Sequence, residues 1–490
     1  MEKSVKSIVF VSVPVVSVEV PPLGPALMQS VAIQQGFSSS FIDLNLDLYY
    51  LKLSIAELDS VWNWQFSKIK FSAAKAYINL FRQCLQKIQK INPEYVGISV
   101  FSYQSHPHAE LFFRWLKRRH VGFKIIVGGA GAAARVDGNF EKDYFGKSML
   151  ERGLIDYYVA GEGELALAAI LNNQLPYPGV NNQDYEILQS FDSVPIPSFD
   201  TFELDKYQYP LNRTSISVEG SRGCVRNCSF CDIKSIWKKY KFKSGEKLAK
   251  ELIVLGNKYQ TSNFWFNDSL VNGSLSAHRD FIKYLANHNQ TNDPKITWSG
   301  QYIIRPRNNT LDQDIQLAKQ SGCHTLAIGI ESGSHDVRRH MGKDFSNDDI
   351  DYTFQLLRKN DIKIFLLMIV GYPTETEKDF ECTLNLLRRY KNLALEGTIS
   401  GVNLGYTLSI LPNTPLSAQK DKLQIQGSED NIFWFNETST IQTRISRRIR
   451  AQELGIELGY NFFDADNQFK AFENLLDGKH TSLTPAQNHG

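Results

Sequence analysis

Three of the chain's six cysteines fall within eight residues, Cys224-Val225-Arg226-Asn227-Cys228-Ser229-Phe230-Cys231, spaced C-x3-C-x2-C. The loop opens on Gly220-Ser221-Arg222-Gly223 and follows the strand-like run Thr214 to Val218. Thiolates this close on one loop can point at one centre, and soft sulfur ligands select zinc, Cu(I) or an iron–sulfur cluster. A structural zinc takes four protein ligands, and a ferredoxin-type cluster takes four cysteines. No histidine lies between His120 and His278, and the next cysteine is Cys323. Three thiolates without a local fourth ligand fit a [4Fe–4S] cluster with one iron left open. A chance group of three cysteines with a structural role is the competing reading.

The remaining bounds are broad. At 490 residues the chain has room for about three domains. A net charge of +2 gives no global reason to expect nucleic acid or an anionic membrane as partner. Six cysteines, three of them clustered, do not make a disulfide framework, and an oxygen-sensitive cluster points to a reducing cytoplasm. Lys3 and Lys6 precede the apolar run Ile8 to Val18, but Ser12 and Pro14 interrupt it, so a first buried strand is expected rather than a signal peptide. Long apolar runs such as Ile364 to Val370 fall far short of the ~20 residues that span a bilayer.

Residues 6 to 170 alternate short apolar runs with amphipathic ones. Strands are expected at Ser7–Val13, Ser39–Leu44, Tyr95–Phe101, Lys124–Val127 and Tyr157–Ala160, with helical patterns at Pro25–Gln35, Ala74–Lys90 and His108–Arg119 between them. That alternation argues a doubly wound, Rossmann-like parallel sheet, in which ligands bind beyond the carboxyl ends of the strands. Glycines fall there: Gly24, Gly128-Gly129 and Gly161-Glu162-Gly163-Glu164. No G-x-G-x-x-G follows the first strand, so a dinucleotide fingerprint is absent. Lys52 to Lys90 reads as a helical insertion rich in aromatics (Trp62, Trp64, Phe66), and residues 172–212 as a proline-rich linker.

From Thr214 the alternation resumes at Thr214–Val218, Asn263–Phe266, Ile296–Trp298, Thr325–Ile330, Ile362–Val370 and Val402–Leu411. Six strands with intervening helices suggest a partial (β/α)6 barrel of the TIM type, whose chemistry belongs at the carboxyl ends of its strands. After the first strand comes the cysteine loop. Asn267-Asp268-Ser269-Leu270 follows the second, Gly329-Ile330-Glu331-Ser332-Gly333 the fourth and Gly371-Tyr372-Pro373-Thr374-Glu375 the fifth. Two basic runs, Lys234 to Lys250 and Arg444-Arg447-Arg448-Arg450, read as solvated helix faces, with an anionic-substrate or redox-partner contact as the alternative. Cys84, Cys323 and Cys382 read as buried structural thiols. The expected domains are 1–171, the linker 172–212, the barrel 213–420 and a small, mostly helical region 421–490.

The C-x3-C-x2-C loop with Phe230 before its last cysteine resembles the radical S-adenosylmethionine (SAM) superfamily. In that family the open iron is chelated by the amino and carboxylate groups of SAM, and an electron from the cluster releases a 5′-deoxyadenosyl radical. The resemblance implies Cys224, Cys228 and Cys231 as cluster ligands and Phe230 near the adenine. Asp268 and Ser269 would face the methionine end of SAM, Glu331 its ribose or amino group and Lys343 its carboxylate. The ordered set Pro21-Pro22-Leu23-Gly24, Gly97 to Phe101, Val127-Gly128-Gly129 and Gly161 to Glu164 is similar to the cobalamin-binding domain that precedes many radical SAM enzymes. It implicates Ser99, Phe101, Gly128, Gly129, Gly161, Glu162 and Gly163 in holding a corinoid. The cobalt-ligating D-x-H-x-x-G is missing, since His106, His108 and His120 all lack an Asp two residues earlier.

What the resemblance implies is a cytoplasmic radical SAM enzyme using a [4Fe–4S] cluster, SAM and cobalamin. Its chemistry would be methyl transfer to an unactivated carbon or phosphorus centre. The substrate would be a small molecule or peptide, and an electron donor such as flavodoxin or ferredoxin would serve it, with no nucleic acid and no membrane. Two alternatives stand beside it: a radical SAM cyclase, rearrangement or C–C bond-forming enzyme with a vestigial corinoid domain, and a non-catalytic SAM- or corinoid-binding regulator.

Overall fold

The computed structural model describes residues 6–14, 17–51, 53, 71–135, 142–207, 215–405, 407–411, 413–427 and 433–462. The aromatic stretch with Trp62, Trp64 and Phe66 lies outside the described residues. The chain divides into two compact units, residues 1–217 and 218–490.

The first unit is built on five parallel strands, β1 Ser7–Ser12, β2 Ser38–Asp43, β3 Tyr95–Ser99, β4 Lys124–Gly128 and β5 Tyr157–Tyr158, in the order β2-β1-β3-β4-β5. The central strands β1 and β3 are buried on both faces, as a parallel sheet covered by helices requires, while the edge strand β2 buries only Ile42. Within β1, Val9 and Val11 face one core, shared with Tyr77, Phe81, Phe112 and Phe113, while Ile8 and Phe10 face another, shared with Val31, Leu167 and Ile170. Helices Phe71–Ile91 and His106–Lys117 supply the first layer, Leu23–Gln34 and Gly163–Leu171 the second. This strand order reverses direction between β1 and β3, and that switch point is where such sheets bind ligands.

Of the stretch 172–212 read as a linker, the described residues 172–207 pack within the first unit. Gln29 Nε2 donates to the Ser198 carbonyl at 3.2 Å and Ser30 Oγ to that of Ile196 at 2.6 Å. The Phe41 and Phe202 rings stack at 3.9 Å, and Tyr207 Oη donates to Asp43 Oδ2 at 2.7 Å. The apolar residues between the prolines account for this: Phe191, Val194, Phe199 and Phe202 are all buried. A low-periodicity stretch reads as a tether only when such anchors are discounted.

The second unit carries six strands in the order β13-β12-β11-β10-β9-β6. They are β6 Ile216–Val218, β9 Asn263–Phe266, β10 Thr297–Tyr302, β11 Cys323–Glu331, β12 Lys363–Met368 and β13 Ile399–Asn403. Consecutive major strands lie side by side, with helices such as Gly245–Tyr259, Leu275–Thr291 and Asn347–Lys359 between them, giving a partial barrel. The last strand ends at Asn403, well before the Leu411 expected of it, and β13 is flanked by a further pairing of Val402 with Phe462. A small antiparallel ribbon, β7 Ser221–Arg222 with β8 Lys241–Phe242, brackets the cysteine loop and was not legible in the sequence.

Lys234, Lys238, Lys239, Lys250 and Arg450 of the basic runs are exposed as expected, but other members are not. Lys243 is buried and paired with Glu251 of helix Gly245–Tyr259 at 2.8 Å, each side chain 1% exposed, while its backbone N–H donates to Gly220 O at 2.8 Å. Arg444, Arg447 and Arg448 of helix Ile441–Glu457 are buried, not solvated. Helical spacing alone does not distinguish an exposed face from one turned inward. Breaking a buried pair from one side leaves an uncompensated charge, whereas removing both charges together is often tolerated. Glu251→Leu should therefore destabilise the second unit by ~3–5 kcal/mol, and Lys243→Met in the Glu251→Leu background should recover most of the loss, as read by urea unfolding.

Candidate active site

Asp268, just after β9, is 2% exposed and spends both carboxylate oxygens on the root of the cysteine loop. Gly220 N donates to Oδ2 at 2.8 Å and Ser221 Oγ to Oδ1 at 2.6 Å. Burial pushes its carboxyl up to about 7 despite these two bonds. Behind it a cavity of about 20 Å³ is lined by Ser221, Tyr240, Asp268 and His278 among others. The position after a barrel strand led sequence reasoning to place Asp268 on SAM. Its hydrogen bonds make it a positioning residue for the loop, while the neighbouring Ser269 stays half-buried at the strand end.

The loop itself is held from several sides. Glu219 and Arg222 pair at 2.6 Å before it. Within it, Ser229 N donates to Met341 O at 2.9 Å, and Ser229 O accepts from Leu416 N at 2.7 Å. Cys224, Cys228 and Cys231 are free thiols, each half-buried. Burial pushes Cys228 up, with the Lys343 ammonium opposing it, and pushes Cys231 up to about 11; the other loop cysteines add to both shifts. Among the described residues no three His, Cys, Asp or Glu side chains converge as a single metal ion needs. In an iron–sulfur cluster each thiolate binds a different iron, so three separated thiols are the donor set the cluster takes. Phe230 packs against an apolar group of Val337, Met341, Tyr372, Leu416 and Trp434.

At the end of β11 the chain turns through Glu331 at φ 65°, left-handed backbone in a non-glycine residue. Such strain persists where surroundings over-determine it, often at functional sites. Glu331 Oε1 accepts from Lys343 Nζ at 2.7 Å, and Lys343 also donates to Gly329 O at 3.1 Å. Both side chains are largely buried (10% and 13% exposed). Burial lowers the Lys343 ammonium, but the Glu331 charge and Cys228 outweigh it and hold Lys343 above its ordinary value. A Cβ at Gly329 would strike Glu331 Oε1, so only glycine leaves room for this pair. The expected residues thus come together, Lys343 bridging Glu331 and the cysteine loop electrostatically.

Sequence reasoning missed the supports. Arg338 is buried and donates to the carbonyls of Ser332 (2.8 Å) and Gly333 (3.1 Å) and to Asn347 Oδ1 (2.6 Å), fixing the turn after Glu331. Glu375 is buried, pushed up to about 7 by burial, accepts from Gly371 N at 2.7 Å and pairs with Arg447 at 3.2 Å. Tyr372 Oη meets Ser229 Oγ at 2.8 Å and His340 Nδ1 at 2.9 Å. Arginines at helical spacing opposite an E-x-E were the one available signal. Cys84 and Cys323 are buried, as expected of structural thiols, whereas Cys382 is half-buried, its Sγ 3.4 Å from Lys378 O.

In the first unit the implicated residues lie along the carboxyl edge of the sheet. Ser99 is half-buried at the end of β3, and Phe101 is 61% exposed. Gly128 has open space where a Cβ would stand, and Gly129, at φ 99°, lies against Val100 O, where no side chain fits. Glu162 departs from its expected role: it is buried and accepts from Leu188 N at 2.6 Å, which commits its carboxylate to the fold. Gly161 is covered by the Tyr185 ring, and Gly163 faces Met28 Sδ at 3.1 Å. His106 bonds Gly131 O at 2.8 Å and His108 bonds Tyr77 Oη at 2.8 Å, both buried; His120 is exposed before β4, at the amino end of the sheet.

Asp268→Ala should orphan the Gly220 N–H, at ~1–3 kcal/mol, and leave the Ser221 hydroxyl only its longer bond to Leu270 O, and so lower the iron retained per chain on anaerobic reconstitution. Glu331→Ala should leave the iron content unchanged, because no bond from Glu331 holds the loop.

Residues 218–387 match the radical SAM superfamily. Among curated relatives, an uncharacterized methyltransferase of Pyrococcus horikoshii is 26% identical over 329 residues, covering 63% of this chain and 67% of that protein. The anaerobic magnesium-protoporphyrin IX monomethyl ester cyclase of a Synechocystis species is 22% identical over 304 residues, covering 59% and 58%. The matched stretch therefore spans between about half and two thirds of these relatives' lengths. Among solved structures, the cobalamin-dependent SAM radical enzyme OxsB, with aqua-cobalamin and SAM bound, superposes with a TM-score of 0.65 at 16% identity over 92% of this chain and 66% of that one. The radical SAM methyltransferase TsrM of Kitasatospora setae gives 0.58 at 14% identity over 85% and 75%. At these identities the likeness concerns the fold. The three-cysteine loop and the strand-end Glu331–Lys343 pair both lie within 218–387, the stretch that matches the radical SAM superfamily.

Proposed function

We propose that the protein is a cobalamin-dependent radical SAM methyltransferase acting on an unactivated carbon or phosphorus centre. The observation that carries it is the pairing of two built edges in one chain. One is a three-thiol loop beside a buried Glu–Lys pair at the strand ends of a partial barrel. The other is an open glycine and exposed aromatic edge at the switch point of a 2-1-3-4-5 sheet.

The cluster, when bound by Cys224, Cys228 and Cys231, supplies the electron for reductive cleavage of SAM. Lys343 Nζ would take the carboxylate of SAM and Glu331 its ammonium or ribose, as charge-assisted hydrogen bonds. Asp268 and Ser229 hold the loop that presents the thiols, and Arg338 holds the turn that presents Glu331. The buried floor around Phe230 and Tyr372 keeps water from beneath the loop. Gly128, Gly129, Ser99 and Phe101 fit a broad flat ligand lying over the ends of β3 and β4, and a corinoid there supplies the methyl carrier. His106 and His108 are engaged in the core, which supports binding without a histidine ligand from this unit. The resemblance of 26% to a methyltransferase supports methyl transfer. A one-electron donor protein and a small-molecule or peptide substrate complete the reading, and a cytoplasmic location suits the oxygen-sensitive cluster.

One observation favours a second reading. The Tyr185 ring covers Gly161, one of the positions assigned to close approach of the corinoid. A radical SAM cyclase or bond-rearranging enzyme whose first unit holds no corinoid would account for it, in line with the 22% resemblance to a cyclase.

Anaerobically reconstituted protein separates these. The first reading expects an iron–sulfur absorption envelope together with a retained base-off corinoid, and, with substrate, S-adenosylhomocysteine formed alongside 5′-deoxyadenosine. Formation of 5′-deoxyadenosine with no retained corinoid and no S-adenosylhomocysteine would move the assignment to the second. Glu331→Ala should weaken SAM binding roughly ten- to hundredfold, the equivalent of one charge-assisted hydrogen bond of ~1.5–3 kcal/mol. Equilibrium dialysis with SAM checks it, and unchanged affinity would overturn the role given to Glu331.

A further inference from the structure

Ser229 sits between two cysteines of the loop, 4% exposed, with its hydroxyl turned to a phenol. That phenol, Tyr372, is 0% exposed and carries a single hydrogen. Ser229 Oγ lies 2.8 Å and His340 Nδ1 2.9 Å from the same Tyr372 oxygen. The direction of this chain follows the His340 tautomer: with its hydrogen on Nε2, Nδ1 accepts from Tyr372. If Tyr372 donates to His340, Ser229 must donate to Tyr372, and the serine hydrogen is spent pointing away from the thiolates. If Tyr372 donates to Ser229 instead, the serine hydrogen is left over in a buried place, in a loop where Cys228 and Cys231 stand on either side of it.

The chain is built rather than incidental. The Ser229 backbone is pinned at both its N–H and its C=O, to Met341 and Leu416. The Tyr372 ring is packed among Val337, Met341, Leu408, Leu416 and Trp434. The turn that carries Tyr372 is tied by Glu375 to Gly371 N and to Arg447. Half-buried His340 lies edge-on to the Tyr372 ring at 5.5 Å. Burial, with Lys422 adding to it, holds His340 below its ordinary value, which suits a neutral ring with Nδ1 free to accept.

We infer that His340 and Tyr372 are positioning residues that hold the Ser229 hydrogen away from the cluster sulfurs and so set the cluster's reduction potential. Hydrogen bonds to cluster sulfurs are among the levers on that potential. A donor turned onto them stabilises the reduced, more negative cluster and raises it. Keeping the donor away holds the potential low, as cleavage of a sulfonium by a single electron demands. The inference rests on the cluster assignment above.

The test is the midpoint potential of the reconstituted cluster, by redox titration followed by electron paramagnetic resonance. Tyr372→Phe removes the acceptor of the serine hydrogen, so the potential should move positive at unchanged iron content. Ser229→Ala in the Tyr372→Phe background removes the hydrogen itself and should return the potential to the wild-type value. His340→Leu, at a half-buried position, leaves Tyr372 only Ser229 to donate to, and should move the potential in the same positive direction. This last variant keeps the inference testable if Tyr372→Phe binds too little iron to titrate. Wild-type protein that holds no cluster would sink the cluster assignment. A cluster whose potential is the same in wild type and His340→Leu, or a positive shift that survives Ser229→Ala in the double variant, would overturn the inference alone.

Discussion

A loop that must present three thiols to one cluster cannot also fold itself, because its cysteines are reserved and its glycine start is soft. The carboxylate of Asp268 resolves this by taking the Gly220 N–H and the Ser221 hydroxyl at once. Everything at the site depends on that attachment. It closes the β7–β8 ribbon around the loop, and the ribbon's far strand runs directly into Lys243, whose backbone bonds Gly220 and whose ammonium is buried on Glu251. The root of the loop is thus nailed to a strand end and to the first helix after it. Its middle is nailed at Ser229, to Met341 and Leu416. The thiols stand on either side of these anchored points.

The strands were legible because short apolar runs alternate with longer amphipathic ones, and nine of the eleven expected strands fall within two residues of where they were expected. The cysteine triad was singled out by its spacing and Glu331 and Lys343 by the resemblance; the fold pairs the last two at 2.7 Å. The rest was hidden for physical reasons. Asp268 was placed on the ligand, since a strand-end acid looks the same whether it faces a substrate or a backbone amide. The linker of 172–207 was hidden because apolar anchors scattered among prolines have no period. The arginines of helix Ile441–Glu457 looked like a solvated stripe because periodicity records a face, not what lies against it. Arg444 over the Trp434 ring at 3.9 Å and Arg447 on Glu375 show the stripe turned inward.

That inward stripe gives the C-terminal segment a structural logic. Arg447 reaches both the carbonyl and the carboxylate of Glu375, at 2.9 and 3.2 Å, and Arg450 reaches Glu377 at 2.5 Å. Ser439 donates to Gly371 O at 2.9 Å. The turn after β12 is therefore shaped as much by residues 434–450 as by its own sequence, and Tyr372 in that turn touches the cysteine loop. Residues some two hundred positions beyond the cysteines thereby share in fixing their geometry. A buried cation costs much unless it is paired or hydrogen-bonded, so this segment is a committed part of the second unit and not an appendage.

The Glu331–Lys343 pair has a consequence for how a ligand could enter. Two opposite charges largely out of water stabilise each other only while both remain, and removing one partner leaves the other uncompensated. A ligand carrying a single charge would pair with one member and strand the other. A zwitterionic amino-acid head, with an ammonium and a carboxylate on adjacent atoms, offers each member a replacement as the pair opens, so the buried charge stays balanced throughout. Gly329 leaves the pair its space, and the φ of 65° at Glu331 holds the carboxylate toward Lys343. Under the proposed function, the methionine end of SAM is a balanced ligand of this kind.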